Sequence, residues 1–414
     1  MSDIDLTPAV IGGPPALPLY REEHAALRDA ARAFVGRELA PHADAWEEAE
    51  DFPREVFRAV AEAGFLGLKF DERWGGSGPD LLAQAVWIEE LARCGSGGVA
   101  ADLGAHSDLA CLYLAHAGSD DQLDRWLRPS IAGESVGALG VTEPGAGSDV
   151  AGITTRARRD GDGWVLDGAK VFITNGSWCD YVVVAAKVAP GDGAPSDDPH
   201  GQVTLFVVEA DTPGVERRRM SMLGWRTSHT GELTFDGVRI ADDHRLGDVG
   251  GGFGLIMRNF AWERLSMSLG AVTAAEEGLA EAIAYARERE VFGRPVASFQ
   301  VWRHRFADLA TRIATGRALT EHALRLHVAT EAALRVGEPV PVDTGELVRA
   351  TSMAKLVTQR LAFDVADESV QVHGGAGYMM EYRAQRRWRD TRLGPIGGGT
   401  DEIMREIIAR TYGL

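Results

Sequence analysis

Val141-Thr142-Glu143-Pro144-Gly145-Ala146-Gly147-Ser148-Asp149 follows directly on an apolar run and packs turn-formers, small residues and hydroxyls into nine positions. A loop of this kind lets backbone N–H groups approach a large planar or phosphorylated ligand, because glycine presents no Cβ to keep the ligand away. Taken alone, it fits a tight connection between two packed elements equally well. Its weight comes from what stands around it. Lys170-Val171-Phe172-Ile173-Thr174-Asn175-Gly176 alternates as a half-buried strand that offers an aromatic ring and a hydroxyl before a turn. Further on come Arg289-Glu290-Val291-Phe292-Gly293, Gln300, Gln371-Val372-His373-Gly374-Gly375-Ala376-Gly377-Tyr378 and Gly397-Gly398-Gly399-Thr400-Asp401-Glu402-Ile403-Met404.

Outward from the loop, the period of the apolar residues changes twice. From Glu22 to about Ile131 the spacing is helical, as in Leu27, Ala31, Phe34 and Val35, or Leu82, Val86, Ile88 and Leu91, with a break at Trp74-Gly75-Gly76-Ser77-Gly78-Pro79. From Ser135 to about Asp248 the period is two, in short runs such as Tyr181-Val182-Val183-Val184-Ala185 and Val203-Thr204-Leu205-Phe206-Val207-Val208, separated by Asp-Gly turns and other loops. After Gly250-Gly251-Gly252 the helical period returns, in long runs from Trp262 to Glu290 and from Gln300 to Arg335. The expected class is therefore a multidomain α+β chain. A flexible tail over 1–18 precedes a helical N-terminal domain over 19–134, a middle β-barrel or sandwich domain over 135–248, and a C-terminal domain resembling a four-helix bundle over 249–414. Pro190-Gly191-Asp192-Gly193-Ala194-Pro195-Ser196-Asp197-Asp198-Pro199-His200-Gly201 reads as a surface loop that cannot pack and whose removal leaves activity intact.

A chain of 414 residues can bury the cores of two or three domains. Its net charge of −18 argues against a nucleic-acid or anionic-membrane partner, so an anionic ligand must meet local arginines. Cys94, Cys111 and Cys179 lack the paired spacing of a disulfide framework or a zinc site, which suits a reducing cytosol. The first residues are acidic where a secretory leader is basic, and no apolar run approaches the roughly 20 residues that cross a bilayer. The expectation is a soluble, cytoplasmic protein without a metal and without stable membrane insertion.

In order along the chain, from about Leu27 to Arg410, these motifs resemble those of the acyl-CoA dehydrogenases, which use FAD to oxidise acyl-CoA thioesters to trans-2-enoyl-CoA in fatty-acid β-oxidation. The resemblance implies that Leu139, Val141 and Thr142 line the flavin edge, that Gly147 and Ser148 lie near bound phosphate or ligand, and that Phe172, Ile173 and Thr174 cover the rest of the ring. Relatives often carry Trp where Phe172 stands, and Phe172 reads equally as a core residue. By the same resemblance Arg289, Phe292, Gln300, Gln371, Gly374 and Gly375 reach the FAD of a neighbouring subunit in a homotetramer, a dimer of dimers, while Thr400 and Glu402 lie beside the flavin of their own chain. Arg264, Ser148 and Arg410 border the CoA portion. Arg383, Arg386, Arg387, Arg389 and Arg392 read chiefly as salt-bridge partners for the surplus acids.

Removing the α-proton of a thioester needs a positioned carboxylate and donors that polarise the carbonyl. Many relatives carry that Glu immediately before the Gly-Thr pair of the C-terminal motif, where this chain has Gly398 before Gly399-Thr400. Isovaleryl- and long-chain acyl-CoA dehydrogenases place the base instead on the helix after the β domain, which here offers Glu263 in Trp262-Glu263-Arg264-Leu265. The resemblance then implies that Glu263 takes the α-proton while the β-hydride passes to flavin N5, that the backbone N–H at Gly398 and its neighbour Gly399 serve the thioester, and that electrons leave through an electron-transfer flavoprotein. Glu263 reads also as a helix-turn partner for an arginine. On the same helical face lie Ser266, Met267, Gly270 and Ala274, small groups that leave room for an acyl chain or for close helix packing. A flavin oxidase or monooxygenase, a non-catalytic FAD-binding partner subunit of a heteromer, and a DNA-repair-associated binding protein are the rival readings, the last opposed by the charge.

Overall fold

The computed structural model describes residues 19–414, so the tail expected over 1–18 lies outside the described residues. Contacts gather the described chain into two compact units. One, the helical unit, comprises the described residues up to Asp44 with Ala85–Gly97 and Ala261–Leu414; the other, the sheet unit, comprises Ala45–Gln84 and Gly98–Phe260.

The sheet unit is built on eight strands: β1 (Gly137–Gly140), β2 (Arg156–Asp160), β3 (Gly163–Ile173), β4 (Tyr181–Val188), β5 (Val203–Glu209), β6 (Val215–Arg219), β7 (Gly231–Ala241) and β8 (Arg245–Leu246). They form one mixed sheet in the order β6-β7-β3-β2-β4-β5-β8, with β1 added parallel to β4. The near-continuous apolar runs of β4 and β5 are explained by burial on both faces. Tyr181, Val183, Ala185, Leu205 and Val207 join a core with Tyr113, Trp126 and Ile131 from the helical segments of this unit. Val182, Val184, Ala186, Phe206 and Val208 join a second core with Trp164, Leu166, Leu233, Phe235 and Ile240 from β3 and β7. Register shifts in β3 against β7, after Leu166 and after Lys170, bend the sheet so that β3 and β7 can fold over β4 and β5.

The segment 190–201 departs from its expectation. It forms a 3-10 turn over Pro190–Asp192 and a short helix over Pro199–Gln202. Ala194 is buried in the second core, and the His200 ring stands edge-on to Phe253 at 4.5 Å. A Pro/Gly/Asp-rich composition foretold turns but carried no signal for one small apolar side chain finding a gap in a core.

In the helical unit the main elements are α1 (Glu22–Phe34), α2 (Leu81–Leu91), α3 (Gly252–Glu288), α4 (Gln300–Val336), α5 (Thr344–His373), α6 (Arg383–Thr391) and α7 (Asp401–Thr411), of which α2 and α3 contribute their later residues. Val272, Ala275, Leu279, Ala282 and Ala286 recur at three- and four-residue spacing along α3 and pack with Phe306, Leu309 and Ile313 of α4 and with Leu361, Ala362 and Val365 of α5. Helix ends are capped as their residues dictate. Asp343 accepts from the Glu346 N–H and Thr400 from the Ile403 N–H, each cap contributing about 1 kcal/mol.

The arginine-rich helix α6 is spent on ion pairs. Arg383 and Arg386 hold Asp44, Arg387 holds both oxygens of Glu281, and the Arg392 guanidinium lies over the Phe363 ring. No helix among the described residues is long and apolar enough to cross a membrane. Cys94, Cys111 and Cys179 are buried free thiols whose pKa values burial pushes up to about 11.

Candidate functional site

In the sheet unit, the loop after β1 is drawn against β3. The Val171 N–H donates to the Thr142 carbonyl at 2.9 Å, which sets Leu139, Val141 and Thr142 beside Phe172, Ile173 and Thr174. A buried ion pair pins this arrangement from beneath. Lys170 Nζ donates to the Val141 carbonyl at 3.0 Å and to Glu143 Oε1 at 2.8 Å. Glu143 Oε1 also accepts from the Thr155 N–H at 2.9 Å, and Glu143 Oε2 accepts from the Thr154 N–H and hydroxyl at 2.6 and 2.7 Å. Burial raises the Glu143 carboxyl, but the Lys170 charge and these donors outweigh it and bring it down to about 2.

Phe172 has φ 60° and is 66 % exposed, whereas its neighbour Ile173 is buried in the second core. A non-glycine residue in the left-handed region costs roughly 1 kcal/mol or more. Here it sits within the register shift between Lys170 and Ile173, which turns the aromatic ring outward. The core reading of Phe172 is thereby excluded, and of the expected ring-covering side chains Ile173 faces inward instead, because adjacent strand positions point to opposite faces. Val141 is likewise buried by its side chain and is available through its backbone. Gly147 and Ser148 are exposed, and a Cβ at Gly147 would meet nothing within 4 Å.

In the helical unit, Glu263 on α3 faces the turn that precedes α7. Gly398 and Gly399 have φ +62° and +96°, backbone that side-chain-bearing residues rarely adopt. A Cβ placed on Gly398 would lie 2.5 Å from Met267 Sδ and 3.7 Å from Glu263 Oε1, so the two side chains of α3 occupy the space a side chain at 398 would claim. Arg264 Nε donates to the Gly398 carbonyl at 3.2 Å and Lys355 Nζ to the Gly399 carbonyl at 2.5 Å. No hydrogen bond or ion pair engages the half-buried Glu263 carboxylate among the described residues. Burial pushes its carboxyl up to about 7, against the lowering pull of the Arg264 and Lys355 charges. The reading of Glu263 as a plain arginine partner is not what the geometry shows.

Met267, already read on the helical face of Glu263, belongs to this cluster, and so do Lys355 and Gln359, whose amide donates to the Met267 carbonyl at 2.8 Å, although the sequence reading passed over these two. Each sits in an Ala- or Leu-rich helical stretch whose pattern speaks only of packing. Thr400 caps α7 directly beside Gly399, while Glu402 is exposed. Arg410 is exposed and donates to Glu406 at 3.0 Å, and no hydrogen bond or ion pair among the described residues joins it to the Glu263 cluster.

A second group gathers where α3 and α5 end. Tyr285 stacks on His373 at 3.9 Å, which brings the Arg289 segment to the C-terminal end of α5. Residues 290–295 form a small hairpin, β9 (Glu290–Val291) with β10 (Arg294–Pro295), whose tip places Phe292 in left-handed backbone and 96 % exposed. Gln300 opens α4, and Gln371, Gly374 and Gly375 lie exposed at the end of α5, where a Cβ on either glycine would meet nothing within 4 Å.

Comparison with known proteins gives these clusters a context. The model of the acyl-CoA dehydrogenase N-terminal domain matches residues 21–134, that of the middle domain 138–238 and that of the C-terminal domain 250–413. The chain is 38 % identical to the mitochondrial long-chain specific acyl-CoA dehydrogenase of Mus musculus, over 95 % of this chain and 87 % of that one. Its fold matches the crystal structure of an acyl-CoA dehydrogenase from Geobacillus kaustophilus with a TM-score of 0.88 and 38 % identity, covering 96 % of this chain and 100 % of that one. A glutaryl-CoA dehydrogenase from Mycobacterium smegmatis, solved in complex with FADH2, matches with a TM-score of 0.83 and 28 % identity over 95 % of each chain. Helical, mixed-sheet and helical domains in this order define an FAD-dependent oxidoreductase. The chain belongs to the acyl-CoA dehydrogenase family.

The sheet unit suits the cofactor of that family. The hydroxyls of Thr142, Ser148 and Thr174 make no hydrogen bond among the described residues, and they stand on the loop and strand that carry the exposed Phe172 ring. Uncommitted donors beside an outward aromatic face are what an isoalloxazine edge requires.

Proposed function

We propose that this protein dehydrogenates an acyl-CoA thioester to the trans-2-enoyl-CoA, with Glu263 as the base that removes the α-proton. The observation that carries the proposal is the exchange of positions at one place in space. Where a side chain at 398 would point, Glu263 Oε1 lies 3.7 Å from its Cβ position, so a carboxylate reaches the same region from α3 instead of from the turn. A base must be deprotonated and within reach of its proton, and a carboxyl poised near pH 7 in a low-dielectric setting accepts a proton without being locked in an ion pair. FAD, when bound, supplies the two-electron acceptor that the oxidation needs.

The other roles follow from placement. Thr142, Ser148, Thr174 and the Phe172 ring would hold the cofactor on the sheet unit, joined by the backbone at Leu139, Val141, Gly147 and Ile173. The N–H groups of the Gly398–Gly399 turn would polarise the thioester carbonyl, with Arg264 steadying that turn and the CoA portion. Arg289, Phe292, Gln300, Gln371, Gly374 and Gly375 would reach the cofactor of a second copy, a homotetramer being supported by the exposure of Phe292 and of the open glycines. Thr400, Glu402 and Arg410 would serve the near end of the site only if ligand binding recruits the two exposed side chains. Electrons would pass on to an electron-transfer flavoprotein.

Glu263→Gln tests the central role. The variant should retain FAD and lose flavin bleaching by acyl-CoA by at least a hundredfold, as expected for removal of a general base. Bleaching at the wild-type rate would take Glu263 out of the reaction. A panel of straight and branched acyl-CoA substrates, read by the same bleaching, would define the acyl group, and peroxide formation would distinguish an oxidase.

A further inference from the structure

We propose that Lys355, on α5, is a positioning residue for this chemistry: its ammonium pins the Gly399 carbonyl, holds the Gly398–Gly399 turn against α3, and supplies the buried positive charge that acts on Glu263. The proposal rests on the reading of Glu263 as the base.

Four observations converge on Lys355. It is fully buried, a setting in which a lysine is almost never found without a partner. Its partner is a backbone carbonyl, Gly399 O at 2.5 Å, so the ammonium has not been neutralised by a carboxylate at contact distance. The peptide it grips lies in a stretch where Gly398 and Gly399 both adopt left-handed backbone, a conformation that persists only when the surroundings hold it. The Arg264 guanidinium takes the preceding carbonyl, Gly398 O, at 3.2 Å, so two cations on two helices clamp consecutive carbonyls of one turn. Hydrogen bonds to a peptide carbonyl polarise that peptide, which makes the N–H on its far side a better donor. The groups so affected are the N–H of Gly399, one of the proposed thioester donors, and that of Thr400.

The charged groups that bear on Lys355 are Glu263 and Arg264 from α3, and Asp401 and Glu402 from α7. Asp401 is buried and already engaged by Arg360 through Oδ2 at 2.5 Å, and Glu402 is exposed and 3.9 Å from Arg405. Glu263 is the acid of the set that no ion pair engages, and the Lys355 charge acts on it as well as, more strongly, on Asp401. Burial lowers the ammonium itself to about 8, opposed first by Asp401, and the Lys355 charge in turn lowers the Glu263 carboxyl. Taking the cation away therefore moves Glu263 upward and reduces its ionised fraction at neutral pH. A shift of about one unit, the lower end for a nearby charge, leaves about fivefold less carboxylate at pH 7.

The experiment uses the FAD-loaded protein with Lys355→Met, which removes charge and hydrogen bond, and Lys355→Gln, which keeps a donor for Gly399 O without the charge. The Glu263 carboxyl is followed by carboxyl infrared difference spectroscopy across pH 5 to 9, its band assigned by loss in Glu263→Gln. Both variants should raise the midpoint by about one unit. Lys355→Gln should keep the wild-type melting temperature more closely than Lys355→Met. With octanoyl-CoA and palmitoyl-CoA as probes, the pH profile of flavin bleaching should move upward by the same amount in both. A midpoint unchanged in both variants, or a Glu263 carboxyl that does not titrate in this range, would overturn the role of Lys355. Unimpaired bleaching in Glu263→Gln would instead overturn the reading of the base, so the two failures are separable.

Discussion

At Gly398 a single missing side chain underlies the proposal that the base stands on α3. The turn there is left-handed, and a Cβ would strike Met267 Sδ at 2.5 Å, so the position rejects the glutamate that many family members carry. Gly398→Glu should therefore destabilise the protein by about 1–3 kcal/mol through backbone strain and the clash with Met267, read by denaturant unfolding, and should not rescue Glu263→Gln. A double variant that also shortens Met267 to Ala should recover part of that loss. The pH dependence is set by the same cluster. Because burial raises Glu263 to about 7, the bleaching rate should climb as pH rises through about 7 and level off above it. The folded state binds that proton more tightly than the unfolded chain, so this group favours folding at low pH and its contribution falls as pH rises from about 4.5 to about 7. A rate independent of pH between 6 and 8 would assign the base elsewhere.

Among elements, the loop after β1 owes its form to a buried pair rather than to its glycines. Glu143 is bound by Lys170, Thr154 and Thr155, and Lys170 in turn holds the Val141 carbonyl, so strand β3 carries the loop on a charged peg. Lys170→Met strips the carboxylate of its cation while three other donors remain. Glu143→Ala strands the lysine, and breaking a buried pair from one side costs about 3–5 kcal/mol. Glu143→Ala should lower stability by that order and weaken FAD retention, measured by unfolding and by flavin fluorescence. The sign with pH is opposite to that of Glu263. The Glu143 carboxyl is depressed to about 2, so its stabilisation is present above about 4.5 and is lost as pH falls toward 2. The strand and its turn were legible from the alternation in Lys170 to Gly176. The peg was not, since Glu143 and Lys170 stand 27 residues apart and a lysine in a strand reads as a solvated face.

For the molecule as a whole, the bases are gathered into ion-pair networks with part of the acids, which leaves the surplus of acids to set the net charge of −18. In the helical unit Arg28, Arg32 and Arg93 converge on Glu90, and Arg317 holds Glu89 and Glu276. Phe292, 96 % exposed at a hairpin tip, contributes almost nothing to the fold of one chain. If the hairpin meets a second copy as proposed, Phe292→Glu should leave the melting of the chain nearly unchanged while yielding smaller species in sedimentation velocity and faster FAD loss on dilution; unchanged sedimentation would overturn that role for the hairpin. What the sequence by itself determined is the succession of helical, strand and helical periods and the loop from Val141 to Asp149. Those are local patterns, and local sterics and periodicity decide them. Only the tertiary structure decided that Ile173 turns inward while Phe172 turns out, that Ala194 fills a core, and that Lys355 completes the surroundings of Glu263. Each of these depends on a partner far along the chain, and a distant contact leaves no mark on the spacing of its neighbours.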